Sequence, residues 1–253
     1  MKNNLKVIPK LYVVAIMLLL IVTSKAEATV QKVYHITFFD QVDQLLKDHV
    51  RGGQVRYTFL QQRKKELASI TQQIATYDLS KASANEKKAF YINAYNMLVW
   101  QQVIHYYPVK SVMDIAGFFD AKKYNVAGEM LTLNELEKKK LIAPYKDARI
   151  HFALVCAAKS CPPLLAKAFR PATLDAQLEA QTKQTLQDKN FIRVDAKTNK
   201  VQVSEIFRWY EADFLREAPS IVDYINKYLP KPLPAKTVGY YTYDWALNDT
   251  SLQ

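Results

Sequence analysis

The stretch ANEKKAFYINAYNMLVWQQVIHY, residues 84 to 106, constrains the fold of this chain more than any other. From Phe90 to Trp100 it is apolar on nearly every side. A helix without a polar stripe has to be surrounded by protein. Pro108 ends it, because proline has no N–H to give and its ring clashes with the preceding turn. Asn93 and Asn96 interrupt the apolar surface three residues apart, on one side of the helix. Buried amides need partners. They read as pins for neighbouring loop backbone, or as groups that orient a catalytic imidazole or a substrate carbonyl. Tyr91 and Tyr95 on the same helix read as core.

The remaining periodicities supply elements to pack around it. Phe38, Phe39, Val42, Leu45 and Leu46 fall on one helical face within residues 33 to 50, and RGG at 51–53 ends that helix. A second amphipathic helix is expected over 59–77. KYNVAGEMLTL (123–133) reads as a hairpin turning near Gly128, and Thr132 with Glu135 forms a capping box that opens a short helix. Residues 173–189 are helical, 191–204 alternate on both sides of a polar turn, and a last helix near 219–228 precedes the extended tail VGYYTYDW. The sum is an α+β domain, helix-rich, with one small mainly antiparallel sheet.

Residues 1 to 28 read as a signal peptide. Three lysines precede the apolar run LYVVAIMLLLIVT, and Ala26 and Ala28 are spaced as a cleavage site. The run is short of the roughly 20 residues that span a bilayer. Removal of the segment leaves 29–253 as a single domain in a periplasmic or secreted setting, with no membrane span. The full chain carries +11, and the four lysines and one glutamate of the leader account for +3 of it. The remaining bases are interspersed with acids, which describes solvated helix faces. No motif points to nucleic acid or to a cofactor.

The stretch IHFALVCAAKSCPPLL, residues 150 to 165, holds both cysteines and one of the four histidines. ARIHFALVC (148–156) reads as a strand, and in a strand side chains alternate. Ile150, Phe152, Leu154 and Cys156 then face the core while His151 points the other way. Cys161, directly before Pro162, reads as sitting at the start of a helix, where a thiol is acidified. Three readings stand side by side. One is a disulfide between Cys156 and Cys161 in an oxidising compartment. The second is a reactive Cys161 with His151 as base, a papain-like arrangement in permuted order because the histidine comes first. The third is a metal site from His151 and both cysteines, which the spacing disfavours.

AFYINAYNMLV, VAGEMLTLNELE, ARIHFALVCAAKSCPPL, VSEIFRWYEADF and YDWALND occur in this order. Together they resemble the bacterial exported branch of the family catalogued as domain of unknown function 547, over residues 38 to 249. The resemblance implies no established activity. Arg56 stands where relatives of that branch are expected to carry an acid.

Two functions follow as expectations. One is a cysteine-dependent hydrolase or acyltransferase acting on cell-envelope peptides or acyl groups. Its catalytic candidates are Cys161 and His151, with Asn96 or Asp244 orienting the imidazole. The other is a non-catalytic exported binding module that holds a small-molecule, peptide or envelope ligand, with the cysteines as a staple. Asn93, Trp209, Tyr210 and Trp245 are the binding candidates for either.

Overall fold

The computed structural model describes residues 36–250. The leader assigned to 1–28, and His35, lie outside the described residues. The α+β class holds: about half of the chain is helical, with small antiparallel sheets.

Helix α1 (Phe38–His49) begins at a capping box. Thr37 Oγ1 accepts from the N–H of Asp40, and the Asp40 carboxylate accepts from the N–H of Thr37 at 3.0 Å. The Thr37 hydroxyl, which donates to that carboxylate at 2.7 Å, and then the Thr37 N–H hold the Asp40 carboxyl down at about 2. All five apolar residues of the expected face are buried. A two-residue hairpin, β1 (Val50–Arg51) and β2 (Gln54–Val55), follows. The single helix expected over 59–77 is two, α2 (Tyr57–Gln62) and α3 (Lys64–Thr76). The break falls at Arg63, whose guanidinium pairs with Asp48 and Glu66.

Helix α4 (Ala84–Tyr106) is the centre of the larger core, with Phe90, Ile92, Met97, Leu98 and Trp100 buried. The β3 (Tyr124–Val126) and β4 (Glu129–Leu131) hairpin turns at Gly128, as the alternation predicts. The capping box at Thr132 opens α5 (Leu133–Glu135), which widens into a π-helical stretch (Leu136–Ile142) before α6 (Ala143–Tyr145). At the end of that stretch the N–H of Ala143 reaches back five residues to the carbonyl of Lys138, and Pro144, which follows, has no N–H to offer.

A second, smaller core forms around Phe152, Phe207, Phe214 and Tyr224. It is enclosed by α7 (Leu174–Gln187), β5 (Ile192–Asp195), β6 (Lys200–Ser204), α8 (Ile206–Trp209), α9 (Glu211–Leu215) and α10 (Ile221–Asn226). The tail strand β7 (Gly239–Tyr241) pairs in parallel with β6, which itself pairs antiparallel with β5. The one small sheet expected is therefore two hairpins and a three-stranded sheet.

Two local expectations fail in the region that matters most. Residues 148–156 are not a strand: Ala148–Phe152 form a 3₁₀ helix. Asp147 starts it by accepting from the N–H of Arg149. The backbone groups that a strand would offer to a neighbour are taken by side-chain amides. Asn96 holds the carbonyl of Ala153 and the N–H of Val155, and Gln181 holds the carbonyl of Phe152. Residues 150–155 are all buried, so the alternating-face separation of His151 from Cys156 does not apply. Nor does a helix begin at Pro162, where the chain runs irregular as far as Arg170.

Candidate functional site

A cleft of about 560 Å³ opens along the seam between the two cores. Tyr95, Phe119 and Leu154 line it from the larger core, and Ile206, Tyr210 and Tyr243 from the smaller. Three more residues on its wall carry chemistry: His151, Cys156 and Glu137.

His151 stands on the 3₁₀ helix and is buried. Its Nε2 lies 2.9 Å from Asp213 Oδ2 on α9, and its ring stacks on Tyr210 at 3.9 Å between centroids. The bond to His151 and then that to Arg216 outweigh burial and hold the Asp213 carboxyl below the usual range. An ionised carboxylate only accepts, so Nε2 carries the proton and Nδ1 is the nitrogen available for proton transfer. Tyr210 donates to Glu137 Oε1 at 2.6 Å. Glu137 comes from the π-helical stretch, and burial pushes its carboxyl up despite that bond.

The two sulfurs lie 2.6 Å apart as free thiols, longer than the roughly 2.05 Å of a disulfide bond. Cys161 Sγ also accepts from the N–H of Cys156 at 3.2 Å, the N–H of Ala158 at 3.3 Å and the hydroxyl of Tyr243 at 3.3 Å. Ala157 between those two N–H groups has φ +64, the left-handed turn that lets nearby amides converge on one atom. Burial pushes the Cys161 thiol up, but its donors outweigh that and leave it below an ordinary thiol. Cys156, in contact with Cys161 and desolvated, is pushed well above one. Cys156 lines the cleft, whereas Cys161 lines a second, separate pocket.

The loop that carries the cysteines is held on three sides. Asn96 of α4 fixes Ala153 and Val155, directly before Cys156. Gln181 of α7 donates to Phe152 and Pro163, one on each side of the loop. The tail straps it from above: Lys159 and Ser160 donate to the carbonyls of Ala246 and Asp244, and Asn248 donates to that of Ala157.

The structure thus brings together His151, Cys156, Trp209, Tyr210 and Trp245 on one cleft. Trp209, Tyr243 and Trp245 form a contiguous aromatic wall, with centroids 4.7–5.7 Å apart. Asn93 lies elsewhere and clamps both backbone groups of Phe169. Asp244 caps a turn by accepting from the N–H of Ala246, and the carboxylate on His151 is that of Asp213. Glu137, Asp213 and Tyr243 were missed as site residues. The acids among aromatics in IFRWYEADF were the one signal that could have found Asp213. Among the described residues no group of three or more histidine, cysteine and acidic side chains is gathered to hold a metal, and no helix is long and apolar enough to cross a membrane.

Residues 79–186 match the family model described as "Protein of unknown function, DUF547". The matched segment contains α4, His151 and both cysteines, and ends before Tyr210, Asp213 and Tyr243. No curated protein and no solved structure matches the chain.

Proposed function

From the match of residues 79–186 to the DUF547 family model, whose description assigns no activity, we propose that the chain is a cysteine-dependent enzyme of acyl transfer or amide hydrolysis, with its active site in the aromatic cleft. One observation carries the reading: Cys156 and an imidazole fixed by a carboxylate line the same cleft. The nucleophile is then Cys156, the sulfur on the cleft, in place of Cys161. Its thiol stays protonated until a base removes the proton, and His151 Nδ1 is the base. The thiolate attacks the substrate carbonyl carbon, and the imidazolium returns the proton to the leaving amine or alkoxide. Water, or a second acceptor, then releases the acyl group. Asp213 holds the ring in the tautomer that this requires.

No hydrogen bond joins the imidazole to either sulfur in the described residues. A bound substrate has to draw the two together, as apo sites commonly require. The wall of Trp209, Tyr243 and Trp245 suits a substrate with a flat or apolar body beside its carbonyl. The reading includes export, supported by the three-part N-terminal segment, and hence peptides or acyl groups of the cell envelope as substrates.

The test is to incubate the full, reduced chain with activated esters, thioesters and short peptides and to search for an acyl adduct by mass. An adduct on Cys156, lost in Cys156→Ala and in His151→Ala, is expected. Full turnover by Cys156→Ala would end the proposal.

A further inference from the structure

The two cysteines face different spaces. Cys156 lines the aromatic cleft, and Cys161 opens on a pocket of about 290 Å³ lined also by Gly53, Lys159, Asp188, Arg193 and Tyr241. Between the spaces the sulfurs touch. Their surroundings are unequal. Cys161 Sγ accepts from two backbone N–H groups and can accept from Tyr243 Oη, which also lies 3.4 Å from Cys156 Sγ. That many donors around one sulfur suit a thiolate. The contact is also built in. Asn96, Gln181 and the tail hold the loop from both ends and from above, and Ala157 takes a left-handed conformation inside it.

We infer that Cys156 and Cys161 are a dithiol–disulfide couple that reduces a small disulfide bearing carboxylates, with Cys161 attacking through the second pocket and Cys156 resolving. Lys159 and Arg193 set two cationic side chains against the one carboxylate of Asp188 there. Asp188 is itself turned to the N–H of Asn190. The Cys161 thiolate attacks one sulfur of R–S–S–R, so that a Cys161–S–S–R bond forms and R–S⁻ departs. Cys156 then gives its proton to R–S⁻ and attacks Cys161 Sγ. The Cys156-to-Cys161 bond forms and the second R–S⁻ leaves. The protein loses two electrons, and one disulfide becomes one thiol and one thiolate.

This activity goes beyond the proposed acyl chemistry: it needs neither His151 nor a substrate in the aromatic cleft, although Cys156 and Tyr243 both line that cleft. The two share Cys156, so the disulfide form has no cleft thiol.

The experiment uses the full reduced chain in buffers of graded glutathione to glutathione disulfide ratio, with acid quench, alkylation and mass readout. The expected result is a single intramolecular disulfide across part of the series. Cys156→Ser should accumulate a glutathione adduct on Cys161, and Cys161→Ser should react at least about tenfold more slowly. Tyr243→Phe keeps both sulfurs and should slow the first step several-fold, which serves as a second variant if Cys161→Ser does not fold. Absence of an intramolecular disulfide at every ratio would overturn the inference, as would equal rates at the two sulfurs. Acyl adducts are sought on reduced protein without disulfides present, so failure of either idea is read independently of the other.

Discussion

His151 Nε2 and Asp213 Oδ2 meet at 2.9 Å across 62 positions of chain, the imidazole lying on a 3₁₀ turn and the carboxylate on α9. The pairing ties a residue inside the family match to one beyond it. Asparagine at 213 keeps the size but not the charge that selects the Nε2–H tautomer. Asp213→Asn should cut acyl-adduct formation on Cys156 by roughly a hundredfold or more. It should also change the pH dependence of folding. The folded carboxyl titrates below its unfolded value of about 3.9. Its stabilisation is therefore complete above that value and is lost as the pH falls through the folded one. Urea unfolding should separate wild type and variant at pH 7, and the gap should narrow as the pH falls below about 3.9. A constant gap would refute the assignment.

Asn96 gives a prediction of a different kind. Its amide satisfies one carbonyl and one N–H in the buried run just before Cys156. Asn96→Ala leaves both unpaired, at a cost of about 1–3 kcal/mol for each group stranded. Chemical denaturation should show a loss in that range or above. Because the loop loses its clamp, thiol alkylation of the native protein should also speed up. Unchanged stability would mean that water takes over both bonds.

How much of this was legible in the residues follows from what each signal reports. The face of α1 and the turn at Gly128 are local: periodicity and turn chemistry decide them, and the structure agrees. So does α4, because nothing except burial suits a helix without a polar stripe. Residues 148–156 misled because a nearly continuous apolar run suits any buried segment, and here it is a 3₁₀ turn followed by irregular chain. Its backbone partners, Asn96 and Gln181, come from helices far away in sequence, and no local pattern announces them. The same holds for Asp213. An acid among aromatics is visible, but its histidine is not. Tyr243 was hidden in a tail read for its extended shape, although its hydroxyl reaches both sulfurs.

Ala157 tests whether the loop shape sets the thiol. Its φ of +64 places an ordinary L-residue in the left-handed region. For alanine that costs about 1–2 kcal/mol, and more for a branched side chain. Ala157→Val should destabilise the fold by at least about 2 kcal/mol, since the site is also buried. If the variant folds by relaxing the turn, the N–H of Ala158 leaves Cys161. The pH midpoint of Cys161 alkylation should then move up. Retention of both stability and midpoint would show that the turn matters to neither.

Glu137 carries the last prediction, and its sign is opposite to that of Asp213. It is buried on the π-helical stretch, with Tyr210 donating to it. Burial raises its folded carboxyl above the unfolded value of about 4.3. A raised carboxyl favours the fold while protonated. That contribution is whole below pH 4.3 and drains away as the pH climbs through the folded value. Glutamine does not titrate and still offers Tyr210 an acceptor. The stability of Glu137→Gln relative to wild type should therefore rise from pH 4 to pH 8, whatever its starting point at pH 4. Urea midpoints at the two pH values give the comparison directly. A relative stability that stays flat or falls would mean that the carboxylate is held charged inside the cleft. Glu137 would then be a fixed anion beside His151 and Tyr210, with no proton to give.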